Sequence, residues 1–485
     1  MPVTVLQNKK RFAMARYITT TLPYVNADPH IGHAIELLYA DVLARAARGA
    51  GEDVFFNTGS DEHGQKIFQA AEKAGQDVQT YVDHYAARFD KLKEALNLSY
   101  DNFIRTTDTR HVAAAQEMWR RCAHALYKKS YTGFYCVGCE AYKTEKEIEN
   151  GECPLHPGTK LEKITEENYF FKFSAYQDRL RAYLRAPHTV IPRARRNEAL
   201  AFIERGLEDF SVSRERARVS WGIPVPGDES QVMYVWFDAL TNYLSTLGWP
   251  HEEGAFQKFW VEGETLQLAG KDQVRFQSLM WQAMLMAADI KNTDRVFYHG
   301  FITSGGQKMS KSFGNVISPY DLVGKYGTEA ARYILLRHVH PTEDTDITEE
   351  RMDEWYTANL VNGLGNLVAR VMTLAAAHLS EPDFSPLAKA VSAPIRAHLD
   401  NFLFNQALDY VWEAIRACDE LITHEEPFKK IKTQPQAARE TIREAVRRLG
   451  DIARDLVPFM PATAEKITAA VRKNEKPENL FPRLG

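Results

Sequence analysis

Two histidines, His30 and His33, stand three residues apart with Gly32 between them in the stretch TLPYVNADPHIGH. Residues three apart share one face of a helix, so both imidazoles can meet one ligand. The stretch lies between a predicted strand and the start of a predicted helix, where free amides and the helix dipole favour a phosphate. Gly32 leaves the backbone open to close approach. Far downstream, Lys308 and Lys311 flank Met309 and Ser310 in QKMSKSFGN, a polar loop after a predicted strand. Two ammonium groups on one loop suit a polyphosphate. A third cluster has metal-ligand spacing: CxxC at Cys136 and Cys139, then Cys153 and His156 in CPLH. Four such ligands make a closed tetrahedral zinc site with no open position, hence a structural metal, one per chain. Taken singly, the HxxH pair could be two solvated histidines and the loop lysines two solvated charges; their placement on the elements around them carries the chemistry.

Those elements read as a βαβ unit from Tyr17: YITTT, a loop, the helix GHAIELLYADVLARAARGAG, then DVFFNT. Ile35, Leu38, Val42 and Ala46 recur at helical spacing, and Gly49 and Gly51 supply the stop. A second α/β segment runs from LQLAGKD through a helix with Val274, Leu279 and Met280 to RVFYHG. Two such halves predict a doubly wound parallel sheet that binds a nucleotide. Between them lies an insertion with the Cys and His cluster and the aromatic run NYFFKFSAY. After about Glu350 the strand signals fade, and ANLVNGLGNLVARVMTLAAAHL and AARETIREAVRRLGDIARDLV predict an all-α helix bundle.

At 485 residues the chain is long enough for about three domains. Apolar residues are 45% and charged residues 26%, which excludes wholesale disorder and fibrous repeats. With 60 Lys plus Arg against 64 Asp plus Glu, the formal charge of −4 gives no global basic field, so an RNA partner must be held locally. No unbroken apolar run approaches the roughly 20 residues that span a bilayer, and the start lacks a signal-peptide core. The expectation is a cytoplasmic protein without a membrane partner, whose start could equally be Met14. An odd count of five cysteines, three of them in the metal cluster, argues against a disulfide framework; Cys122 and Cys418 read as buried apolar residues.

HIGH at His30 to His33 and KMSKS at Lys308 to Ser312 resemble the two signatures of class I aminoacyl-tRNA synthetases. The surrounding GSDEHG, CVGC with CPLH, GLEDFSVSR, YVWFDALTNY, GKD and NGLGNLVAR resemble the bacterial methionyl-tRNA synthetases with a single zinc knuckle, over nearly the whole chain. The resemblance implies a Rossmann-like catalytic domain in two halves, 14–108 and 221–300, and a zinc-knuckle insertion at 109–220. It also implies a KMSKS-containing connective segment at 301–350 and an α-helical anticodon-binding domain at 351–485. It implies activation of L-methionine with ATP and Mg2+ to methionyl-adenylate and pyrophosphate, then transfer to the terminal adenosine of tRNA(Met), including the initiator.

The resemblance assigns His30, His33, Lys308 and Lys311 to catalysis on the triphosphate, with Gly32, Gly270, Lys271, Asp272 and Ser310 completing the ATP site. It places Asp61 against the methionine ammonium, a charge-assisted bond that fixes the zwitterion. Leu22, Tyr24, Trp236, Leu240, Tyr243, Gln273, Phe276 and Gln277 would enclose the side chain. Gln277 stands where the family commonly has a histidine near the sulfur, and Gln273 where Ile is usual; Gln277 is read as a non-titrating donor to the sulfur. Asn366 and Arg370 match positions that read the anticodon, and Phe428 stands where a Trp commonly stacks on a base. The insertion is too short for the hydrolytic editing domain of valyl, isoleucyl and leucyl enzymes. Two alternatives stay open: a cysteinyl synthetase, and a non-catalytic tRNA-binding paralogue. A monomer is the simplest expectation.

Overall fold

In the computed structural model the described residues are 15–137, 141–143, 148–154, 156–251, 253–308, 316–380 and 389–484. The chain opens as the spacing predicts, with strand β1 (Ala15–Thr19), helix α1 (Ile31–Gly49) and strand β2 (Asp53–Ser60). Ile35, Leu38 and Val42 are fully buried, so α1 lays its apolar stripe on the sheet, and the helix ends at Gly49. Strands β3 (Asn102–Arg105), β4 (Val190–Ile191), β5 (Glu264–Gly270) and β6 (Arg295–His299) follow. All pair in parallel, in the order β3-β2-β1-β5-β6-β4. The strand order reverses between β1 and β5, and in open α/β sheets ligands bind outside the carboxyl ends of strands at that switch point.

The insertion is built on a long antiparallel ribbon, Leu126–Cys136 against Glu162–Phe171. Its aromatic run is a docking face: Tyr169 meets Trp119 at 5.3 Å, and Trp119 meets Phe237 at 5.4 Å. The segment 109–220 also returns to the main sheet, because β4 adds a strand beside β6. Cys122 is buried with its Sγ 3.7 Å from the Met284 carbonyl oxygen, and Cys418 with its Sγ 3.7 Å from that of Ala445, as expected of small apolar residues.

After β6 the chain turns through the hairpin β7 (Ile302–Ser304) and β8 (Gln307–Lys308). Helices α2 (Pro319–Tyr326) and α3 (Thr328–His338) follow, and β9 (Thr345–Asp346) returns parallel to β7. One 30-residue helix, α4 (Glu349–His378), then leads the helical domain. It is long enough to cross a bilayer by length and mean composition, although its apolar stretches are interrupted by Asn362, Asn366 and Arg370. Leu360, Leu364, Leu367, Val368 and Val371 are nevertheless buried in the bundle, against α5 (Phe404–Glu425), α6 (Pro435–Leu456) and α7 (Pro461–Lys473), which is how a core helix packs.

A fully buried arginine ties α1 to the helical bundle. Arg332, on α3, pairs with Asp41 of α1 at 2.7 Å. It donates to the carbonyls of Phe459 (2.7 Å) and Pro458 (2.9 Å) between α6 and α7, and to that of Leu96 (2.9 Å). Removing one partner of a buried charge pair costs about 3–5 kcal/mol, because the other charge stays buried. Arg332→Ala is expected to lower stability by roughly that amount in urea unfolding; a loss under about 1 kcal/mol, the worth of an exposed pair, would contradict this role.

Candidate active site

The sheet topology alone collects the motifs. HIGH follows β1, Asp61 follows β2, GKD continues β5, and the hairpin bearing Lys308 follows β6. Since these strands are parallel, all four segments leave the same rim, and β1 and β5 flank the switch point.

At that rim His30 caps α1. Its Nδ1 accepts from the Gly32 amide at 3.0 Å, and the His33 Nδ1 accepts from the His30 amide at 3.2 Å. The rings stack at 3.8 Å. A ring nitrogen that accepts from a backbone N–H carries no proton, so each imidazole is neutral with its proton on Nε2. The pair thus carries its ring protons on Nε2, beside the positive end of the helix dipole. Burial, then the nearby His30 and His299, push the His33 pKa well below its ordinary value, in keeping with a neutral pair. The amide of Ile31 donates to the Ile317 carbonyl at 3.0 Å. The HIGH helix is therefore bonded to the chain just past QKMSKSFGN. Met309 to Asn315, including Ser310 and Lys311, lie outside the described residues; Lys308 is placed by its backbone on β8.

From β5, Gly270 pairs with His299. A Cβ on Gly270 would stand 2.9 Å from Asp272 Oδ1, so the glycine makes room for that carboxylate, whose residue is exposed at the rim. Lys271 bonds Asp344, with Nζ 2.7 Å from both oxygens. Two supporting residues did not stand out in the sequence. Glu36 accepts from the Thr21 amide and hydroxyl (2.6 and 2.7 Å) and meets His299 Nε2 at 2.9 Å. Burial opposes charge on His299, but Glu36 prevails and raises its pKa. The available signal was the position of Glu36 one turn beyond His33.

An aromatic cluster adjoins the rim. Backbone bonds seat Asp61 beside Tyr24: Asp61 N donates to the Pro23 carbonyl at 3.0 Å, and Val25 N to the Asp61 carbonyl at 3.2 Å. Tyr24 meets Trp236 edge to face at 6.0 Å, and Trp236 stacks on Phe276 at 3.9 Å. Leu240 is buried and Leu22 half-buried. Tyr243 is buried; its hydroxyl donates to Gln277 Oε1 at 3.0 Å, and its carbonyl accepts from Tyr17 at 2.9 Å. Trp236 Nε1 and Gln273 Oε1 are buried without a hydrogen-bond partner, two unspent polar atoms.

Glu62 and His63 brace the frame. Glu62 is gripped by Arg105 (2.6 and 2.9 Å) and Ser60 (2.6 Å). His63 Nδ1 and His111 Nε2 both meet the buried Asp238 at 2.7 Å. Burial alone would raise the pKa of Asp238; the two imidazoles outweigh it and lower it.

Two further expected sites lie apart. Cys136 and Cys153 are fully buried in one small cluster with Leu161, and Cys153 faces His156 in a two-stranded ribbon. Cys139 lies outside the described residues, and His156 is described by its backbone alone. Among the described residues no three ligand-type side chains converge. The buried thiol pair and the ribbon register suit a four-ligand zinc knuckle. In the bundle, Asn366 is exposed and Phe428 is 44% exposed. Arg370 pairs with Asp419 (2.7 Å) and Thr423 (3.1 Å), which line a cavity of about 930 Å3.

A doubly wound sheet with a histidine-capped helix at its switch point suits a nucleotide, and the chain matches the family "tRNA synthetases class I (M)" over residues 16–162 and 157–372. It is 40% identical over 470 residues to a methionine–tRNA ligase of Rhizobium meliloti, covering 93% of this chain and 90% of the relative. It is 37% identical to one of Fusobacterium nucleatum, covering 95% and 74%. The structure superposes on Mycobacterium tuberculosis methionyl-tRNA synthetase in complex with methionyl-adenylate with a TM-score of 0.87 at 35% identity, covering 97% and 98%. The chain belongs to the methionyl-tRNA synthetase family of class I, which sets aside the cysteinyl alternative.

With the Gln277 carbonyl oxygen engaged by Tyr243, its amide N–H groups are left as the donors. A neutral hydrogen bond is worth roughly 1 kcal/mol, or about fivefold. Gln277→Leu is expected to reduce the kcat/KM preference for methionine over leucine by about that factor; an unchanged ratio in pyrophosphate exchange would remove Gln277 from selection.

Proposed function

We propose that this chain joins L-methionine to tRNA(Met) through methionyl-adenylate, and that the carrying observation is the neutral His30–His33 pair capping α1 at the switch point, bonded to the segment beyond KMSKS. The methionine carboxylate attacks the α-phosphate of ATP. It is ionised near neutral pH, so no general base is needed, and the catalytic work is positioning and charge stabilisation. The Nε2–H groups of His30 and His33 donate to phosphoryl oxygens as charge moves onto them. Lys308 and Lys311 hold the departing pyrophosphate, with Ser310 between them. Gly32 and Gly270 let backbone come close to the nucleotide, and Lys271 and Asp272 border it. ATP would arrive with Mg2+, whose preference for water and phosphate oxygens requires no dedicated protein cage.

Asp61 takes the methionine ammonium, and Leu22, Tyr24, Trp236, Leu240, Tyr243, Gln273, Phe276 and Gln277 surround the thioether. In the second step a hydroxyl of the terminal adenosine attacks the carbonyl of the adenylate, and AMP leaves. The helical domain at 351–485 holds the anticodon through Asn366, Arg370 and Phe428, with the connective segment at 301–350 between it and the two catalytic halves, 14–108 and 221–300. Zinc at Cys136, Cys139, Cys153 and His156 would close the insertion at 109–220 and supply no chemistry to the reaction. We read the enzyme as a cytoplasmic monomer.

Amino-acid-dependent ATP–pyrophosphate exchange tests the activity: across the twenty amino acids methionine should give the strong signal. Replacing Lys308 and Lys311 together by Ala should suppress it by about a hundredfold or more; exchange of equal strength with another amino acid would overturn the assignment. For the knuckle, metal analysis of the purified protein should return about one zinc per chain, falling to near zero in Cys136→Ser. An unchanged zinc content in that variant would move the metal elsewhere.

A further inference from the structure

One short strand touches both flanks of the nucleotide site. In β9 and the residue before it, Asp344, Thr345 and Asp346 run beside the hairpin β7–β8. Asp344 accepts Lys271 Nζ of GKD through both oxygens at 2.7 Å, and the Phe301 amide at 2.9 Å. Two residues on, Asp346 Oδ1 accepts the Gly306 amide at 2.7 Å and the Thr303 hydroxyl at 3.0 Å. Gly305 and Gly306 turn the hairpin with φ of +63° and +74°, values that glycine adopts without strain. The carboxylate therefore grips the turn from which β8 delivers Lys308.

The contact between this strand and the end of β6 is backbone on backbone. A Cβ on Gly300 would lie 2.2 Å from the Glu343 carbonyl oxygen, so no side chain fits between them. The Gly300 amide bonds the Pro341 carbonyl at 3.2 Å, and the Thr345 amide that of Phe301 at 2.9 Å. Beyond the strand, the Thr348 side chain caps α4, the helix that carries Asn366 and Arg370. On the far side of QKMSKSFGN, Lys325 of α2 pairs with Glu349 and Asp353 in the first turns of α4, each at 2.7 Å. The segment bearing the lysine signature is fastened to the root of α4 at both ends.

We propose that Asp346 is a positioning residue for the adenylation reaction: its carboxylate sets the hairpin that presents Lys308, and with Asp344 it makes β9 the common mount of the lysine hairpin, the GKD lysine and the root of α4. The role rests on the reading of the chain as a methionine-activating enzyme. Asp346 acts through the Gly306 and Thr303 donors.

The test compares Asp346→Ala with Asp346→Asn, which keeps an acceptor oxygen at the same place. In ATP–pyrophosphate exchange, Asp346→Ala should lose about tenfold to a hundredfold in kcat while its KM for methionine stays within about twofold, since Asp346 acts on the lysine hairpin. Asp346→Asn should stay near the parent rate. Hydrogen exchange read by mass spectrometry should show lost protection of residues 302–308 in the Ala variant and retained protection in the Asn variant, a readout independent of activity. If Asp346→Ala does not fold, Thr303→Val, which removes one of the two donors, should show the same pattern with a smaller loss. Unchanged kcat and unchanged protection in the variant that removes the acceptor would overturn the proposal. So would a KM for methionine that rises in step with the fall in kcat, or an Asn variant as impaired as Ala. A parent protein without methionine-dependent exchange, but with the expected protection pattern, would instead overturn the reading of the activity.

Discussion

Parallel strands carry their succeeding loops to one edge, and that constraint organises this molecule. Because β1, β2, β5 and β6 all run the same way, HIGH, GSDEHG, GKD and the lysine hairpin reach one rim although the chain separates them by up to 280 residues or so. The reversal of strand order between β1 and β5 opens the crevice there. The insertion need not disturb this arrangement, since it leaves after β3, returns one strand at the opposite edge, and seats its aromatic ribbon on the outer face.

The chemistry at the rim depends on charge being withheld as much as supplied. Stacked imidazoles at 3.8 Å would repel if both were protonated. Engaging each Nδ1 with a backbone amide removes that option and leaves the ring proton on Nε2. His299 is the opposite case: Glu36 holds it toward the charged form, and the same carboxylate anchors Thr21 at the start of the HIGH loop. Three histidines within one small region thus divide into two neutral donors and one half of an ion pair, according to the partner each nitrogen meets. The cluster beside them is aromatic, with Trp236 stacked on Phe276 and met edge to face by Tyr24.

The helical domain is joined to the catalytic sheet by contacts that leave little slack. Arg332 binds Asp41 of α1, the Leu96 carbonyl and the carbonyls between α6 and α7, so the first helix of the sheet and the bundle share one buried charge. Nearby, β9 leads directly into α4 and borders the lysine hairpin. Such contacts couple bodies as rigid elements rather than through a flexible linker.

Much of this was legible from residues alone. The βαβ opening follows from apolar spacing along α1 and the bundle from long amphipathic runs, and the proposed phosphate chemistry is suggested by HIGH and KMSKS, because local periodicity and motif spacing are properties of the chain itself. Strand order is not. Val190–Ile191 is too short to announce itself and becomes a strand only because β6 presents a parallel edge. The apolar length of α4 fits a bilayer or a bundle equally well, and only its neighbours choose between them. Glu36, Asp238, Arg332 and Asp346 look like ordinary charged residues in the sequence; their partners lie tens to hundreds of positions away. The sequence by itself determined the elements and the reacting groups; tertiary structure decided which charges are paired, which ring nitrogens keep a proton and which backbones touch, since those depend on distances that only the folded chain creates.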